Sequence, residues 1–170
     1  MTNEELEKEV KRLEEQLTEL RFKILESKGG LIPYKPYEVE VPEDIDDYYY
    51  TNEYGKVDFL AGYNTSYEKN KYIRGLAFKT EEEAEQYDKE RILLFKMHKW
   101  AEEHNGGWTP NWDDYEEKQY YVVYDYEDKK FYVRYEHYSE TFTKLPYFKS
   151  YNLAEQFIKE FGEEIKEVLC

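Results

Sequence analysis

A chain of 170 residues with a formal net charge of −15 and an aromatic content of 19% excludes two broad classes. Direct binding of nucleic-acid phosphates needs a basic face, which this composition opposes. Disorder is excluded because disordered chains are poor in aromatics, and this one carries 20 tyrosines.

Five prolines and eight glycines leave no room for a long flexible linker, so one or two small domains are expected. No apolar run approaches the roughly 18 residues of a membrane span. Met1 leads into Glu4, Glu5 and Glu7 without an apolar leader. The only cysteine, Cys170, has no internal partner. The expectation is a cytoplasmic protein with no membrane contact and no cofactor, whose partner is basic and associates fast and salt-sensitively.

In chain order, the first element is a helix over residues 1–28. Leu6, Val10, Leu13, Leu17, Leu20 and Ile24 fall at alternating spacings of four and three, a heptad seam. Thr2 or Asn3 caps it and Gly29-Gly30 stops it. A parallel pair would set Glu9 against Glu14. An antiparallel pair centred between Leu13 and Leu17 sets Glu9 against Lys23 and Glu7 against Arg21. The seam therefore serves an antiparallel homodimer, or else docks on its own domain.

Residues 29–45, with Pro33, Pro36 and Pro42, read as an extended connector. The body, 46–170, contains one unit twice, at about 46–104 and 119–170. Phe78-Lys79-Thr80 through Gln86-Tyr87 aligns with Phe148-Lys149-Ser150 through Gln156-Phe157. Thr80 and Ser150 are N-cap residues, and Glu83 completes a capping box. Upstream of each cap lie strand-like runs: Tyr48–Tyr50, Val57–Tyr63 and Tyr72–Phe78 in the first unit. Gln119–Tyr126, Lys130–Tyr138 and about Thr141–Phe148 follow in the second, with a turn at Glu127-Asp128-Lys129. The predicted class is α+β, two β-β-β-α repeats forming one antiparallel sheet with helices on one face. The helix from Thr80 is apolar too widely for one face, at Ile92–Phe95, Met97, Trp100 and Ala101, so contact on two sides is expected.

Between the units, Trp108, Trp112 and Tyr115 alternate with Asp113, Asp114, Glu116 and Glu117. This is a recognition loop, or a connector whose tryptophans pack inside. Residues 81–128 hold fifteen acids and five bases, −10 of the net charge. With the helix-start glutamates set aside, the acidic block is Asp113, Asp114, Glu116, Glu117, Asp125, Glu127 and Asp128, against Lys118 alone. No phosphate-binding glycine loop, nucleophile elbow, H-E-x-x-H or C-x-x-C is present. His98 and His104 do not share a helix face, His137 stands alone, and Asp44–Asp47 lacks a calcium loop's glycine. Neither an enzyme nor a metal site is expected.

The set Gly75, Phe78–Glu85, Trp100-Ala101, Asn105, Trp108, Pro110, Trp112, Asp114 and Tyr120–Asp125 resembles a family of small acidic proteins from prophages and mobile elements of Gram-positive bacteria. The resemblance covers about residues 70–165 and brings no catalytic residues. It implies a setting in which small acidic proteins inhibit host defence nucleases. The expectation is an inhibitor that occupies the basic nucleic-acid channel of a CRISPR effector or restriction nuclease. The alternative is a structural or regulatory phage protein assembled through residues 1–28.

Overall fold

In a computed structural model that describes residues 3–27, 37–60 and 66–170, the described residues form two hairpins, four helices and a short 3-10 turn. These divide into two units, Met1–Glu40 and Val41–Cys170.

In the first unit, α1 spans Asn3–Ser27, uninterrupted by Gly or Pro. Ion pairs Arg12–Glu9 and Lys23–Glu19 lie on its surface. Such exposed pairs are screened by solvent and contribute little to stability. Leu6, Val10, Leu13, Leu17, Leu20 and Ile24 are 43–57% exposed. The expected cap at Thr2, the stop at Gly29-Gly30, and Pro33 and Pro36 of the connector lie outside the described residues.

The second unit begins with a short 3-10 turn, Ile45–Asp47, then a hairpin of β1 (Tyr49–Thr51) and β2 (Val57–Phe59). Helix α2 (Ser66–Ile73) and helix α3 (Glu81–Asn105) follow. A longer hairpin, β3 (Gln119–Asp125) and β4 (Lys130–Glu136), is paired over its whole length, and α4 (Tyr151–Leu169) closes the chain.

Both long helices start where their caps dictate. The Glu83 amide donates to Thr80 Oγ1 at 3.1 Å, and the Leu153 amide to Ser150 Oγ at 3.4 Å. Glu83 reaches back as a capping box would, but to the amide of Lys79, one residue before the cap. Gly106 ends α3 in the left-handed region at φ 64°, where a side chain would be strained.

The class is α+β, yet the strands do not merge into one sheet. Among the described residues there are two two-stranded antiparallel sheets. Each hairpin packs on a different helix, β1–β2 on α3 and β3–β4 on α4, so neither offers an edge to the other. The expected third strands shrink to single bridges. Tyr49 exchanges two backbone hydrogen bonds with Phe78, and Tyr120 exchanges two with Phe148. The Tyr72 end of the first expected third strand is helical, because it closes α2. The other, Thr141–Phe148, is turned by Thr141, Thr143 and Pro146 until Phe148. Residues 61–63 of the expected second strand lie outside the described residues.

Two cores result. The larger joins Leu93, Met97 and Ala101 of α3 to Phe157, Phe161 and Ile165 of α4, over Val122 and Phe148. Leu93, Met97 and Ala101 recur every fourth residue, so they form one stripe. Burying each large apolar side chain contributes roughly 1.5–3 kcal/mol. Trp100 packs across this core, with Phe148, Phe157 and Phe161 rings 5.8–6.3 Å away. The smaller core is Ile45, Tyr48 and Leu60. Helix α3 thus meets neighbours on two sides, as its apolar breadth predicts. Ile92 and Phe95 nevertheless remain exposed.

Candidate partner-binding surface

The segment that joins α3 to β3 is short and heavily cross-braced. Gly106 turns the chain out of the helix, and Trp108 then donates its indole N–H to Glu117 Oε1 at 2.6 Å. Gln119, fully buried, donates to Glu117 Oε2 at 3.1 Å and to the Asn111 carbonyl at 3.2 Å. Two local turns complete the loop. The Asp113 amide donates to Asn111 Oδ1, and the Glu116 amide to Asp114 Oδ1. The hydrogen bond from Trp108 holds the Glu117 carboxyl below its ordinary pKa, and that from Gln119 adds to the effect.

These ties sort the expected site residues into two kinds. Trp108 and Trp112 are half-buried, Trp112 meeting the Tyr147 ring edge-on at 5.3 Å. Tyr147 in turn packs on Tyr121, and its hydroxyl donates to the Thr141 carbonyl at 2.7 Å. Glu117 and Asp114 work inside the loop. Asp113, Tyr115 and Glu116 point outward, with Tyr115 71% exposed. Trp108 and Trp112 thus pack against the loop and Tyr147 without entering either core, while Asp113, Tyr115 and Glu116 lie at the surface.

The other acids lie elsewhere. Asp125 Oδ1 accepts from the amides of Glu127 and Asp128, closing the β3–β4 turn, and Asp128 accepts the Tyr132 hydroxyl at 2.7 Å. That bond is the first cause of Tyr132's raised pKa. Strand β3 separates this turn from the loop at 113–117 by six residue steps, about 20 Å at strand rise. The block that is continuous in sequence is therefore two clusters, one at each end of β3.

Charge neutralisation also differs along the chain. On α3, Asp88 pairs with Arg91, Glu90 with Lys144 and Glu102 with Lys99. Among the described residues no ion pair reaches Asp113, Asp114, Glu116, Glu117, Asp125, Glu127 or Asp128.

Beside the loop lies an open cleft of about 450 Å³, lined by Trp108, Pro110, His98, Phe142, Lys144 and Tyr147 among others. Phe142 is 93% exposed. Sequence reasoning missed this cleft, because Phe142 sits between threonines with no apolar periodicity around it. His98 Nε2 donates to the Lys144 carbonyl at 3.1 Å, and His104 stacks on Trp100 at 3.8 Å. Among the described residues no group of three or more His, Cys, Asp or Glu side chains is placed to hold a metal ion, and no helix is long and apolar enough to cross a membrane. No protein family, curated protein or solved structure matches this chain.

Proposed function

We propose that the chain is a non-enzymatic inhibitor that binds a basic, nucleic-acid-binding host defence protein in the bacterial cytoplasm, a CRISPR effector or a restriction nuclease, and occupies its nucleic-acid channel. The observation that supports this reading is the un-neutralised acid at both ends of β3, beside the exposed Tyr115 and Tyr126. Acids held about 20 Å apart by a strand present a spaced negative array, and exposed tyrosines supply contact area at low entropic cost. Complementary charge of this kind governs on-rate and specificity.

The test reverses only acids that do not hold the fold: Asp113→Lys, Glu116→Lys and Glu127→Lys together. Asp114, Glu117 and Asp125 stay, since each receives a hydrogen bond within its own turn or loop. Purified effector or nuclease is assayed for DNA binding with wild-type and triple-variant chain at low and high salt. Loss of inhibition by the variant, and its weakening by salt, supports the reading. Inhibition indifferent to both removes it.

A second reading rests on the exposed seam of α1: self-assembly through an antiparallel α1 pair as a structural or regulatory element. It predicts that Leu13→Glu with Leu17→Glu abolishes function while the charge reversal does not. The matching bridges of Tyr49 to Phe78 and Tyr120 to Phe148, each just before a capped helix, also support a duplicated hairpin–bridge–helix unit.

A further inference from the structure

Strand β4 is an edge strand. The Tyr120 amide and carbonyl bond to Phe148, so they face away from β4. By antiparallel alternation, Gln119, Tyr121, Val123 and Asp125 bond to β4, through Glu136, Arg134, Tyr132 and Lys130. Phe131, Val133 and Tyr135 therefore direct their amides and carbonyls to the outer edge. Among the described residues no backbone partner meets them there. Edge strands are usually kept short, bulged, broken by proline or guarded by charged side chains, and of these β4 has only the charges Lys130, Arg134 and Glu136. This one runs seven residues in continuous register without Gly or Pro.

We infer that β4 pairs antiparallel with β4 of a second copy of this chain, joining two hairpins into a four-stranded sheet centred on Val133. That register sets Val133 against Val133 and Phe131 against Tyr135, for about six backbone hydrogen bonds. On the opposite face, Lys130 meets Glu136 twice and Arg134 meets Tyr132 twice, an ion pair and a cation–π contact. Among the described residues Lys130, Arg134 and Glu136 have no ion pair within the chain, and the pairing gives Lys130 and Glu136 one each. Charge selects the register. A shift of two residues one way opposes Lys130 to Arg134, and the other way opposes Arg134 to itself. A shift of one residue cannot form the hydrogen bonds. This pairing uses no residue of the α1 seam, and it adjoins the Asp125–Asp128 turn through the Tyr132–Asp128 bond.

The experiment uses the full-length chain carrying Leu13→Glu and Leu17→Glu, which removes any contribution of the α1 seam. Sedimentation equilibrium should still give a concentration-dependent dimer. The amides of Phe131, Val133 and Tyr135 should gain hydrogen-exchange protection as concentration rises. Lys130→Glu alone and Glu136→Lys alone should each weaken the dimer about tenfold, since each turns two attractive contacts repulsive. The two combined should restore it. A monomer at every concentration with these amides unprotected overturns the inference. So does a dimer that the single changes leave intact or the double change does not rescue. Protection that arises only on adding a poly-glutamate peptide also overturns it, assigning the edge to an acidic partner.

Discussion

Asn105 is the joint on which the larger core and the cleft both depend, and its removal tests the account of how they are held. The side chain is 5% exposed. Its Nδ2 donates to the Tyr147 carbonyl at 2.9 Å and its Oδ1 accepts the Lys149 amide at 3.1 Å. Asn105→Ala deletes both bonds and leaves a carbonyl and an amide without those partners. A made bond contributes about 0.5–1.5 kcal/mol net, and an orphaned buried group costs about 1–3 kcal/mol. The Lys149 ammonium still donates to the Asn105 backbone carbonyl, so the segment is not wholly released. The expected loss is about 2–4 kcal/mol, which lowers Tm by roughly 5–15 °C in a chain of this size. Urea denaturation and calorimetry measure it. Exchange at the Tyr120 and Phe148 amides should accelerate with it, because Phe148 follows the clamped residue. A loss below about 0.5 kcal/mol, or unchanged exchange at that bridge, would refute the reasoning.

Phe157→Ala, at a fully buried position against Phe148 and Phe161, should cost about 3–5 kcal/mol in denaturant unfolding. The caps should rank: Thr80→Ala about 1–2 kcal/mol, and Ser150→Ala, whose bond is longer, about 0.5–1 kcal/mol by the same measurement. Gly162→Ala should raise Tm, since the added methyl meets Phe131 at 3.4 Å, ordinary contact, while the helix gains up to about 1 kcal/mol. Glu117 has a depressed folded pKa, so its tie to Trp108 is intact above the ordinary glutamate value of about 4.3 and is lost only as pH falls through the lower folded value. The Trp108 indole N–H resonance, followed by NMR from pH 6 downward, should therefore hold its position past the point where exposed glutamates titrate.

The long helices were legible in the sequence, while the short α2 (Ser66–Ile73) was not. The heptad spacing of Leu6–Ile24 and the caps at Thr80 and Ser150 are local signals that act within one or two turns, and the helices they mark are present. The β3–β4 hairpin was legible too, because Asp125–Lys129 carries its turn chemistry in side chains. The third strands were not. Tyr72 carries a strand-former's side chain, but here it closes α2 and packs against the smaller core. Sheet membership depends on which helix covers which hairpin, a non-local outcome that aromatic alternation does not encode. At the candidate surface, composition located the acids but not their duties. Asp113 and Asp114 are adjacent in sequence, yet only the second caps a turn, a distinction set by loop geometry. The cleft at Phe142 left no pattern to find.

That α3 forms one wall of the larger core also sets an order of events during synthesis. Leu93, Met97 and Ala101 emerge from the ribosome well before Phe157, Phe161 and Ile165, their partners on α4. At usual elongation rates the gap is about 4–14 s. The nascent chain therefore carries an uncovered apolar stripe for seconds, flanked by the acids of Glu81–Glu85 and Glu102-Glu103. Like-charge repulsion between neighbouring nascent chains is then a second use for the same acidity, one that ends before the folded protein begins its work.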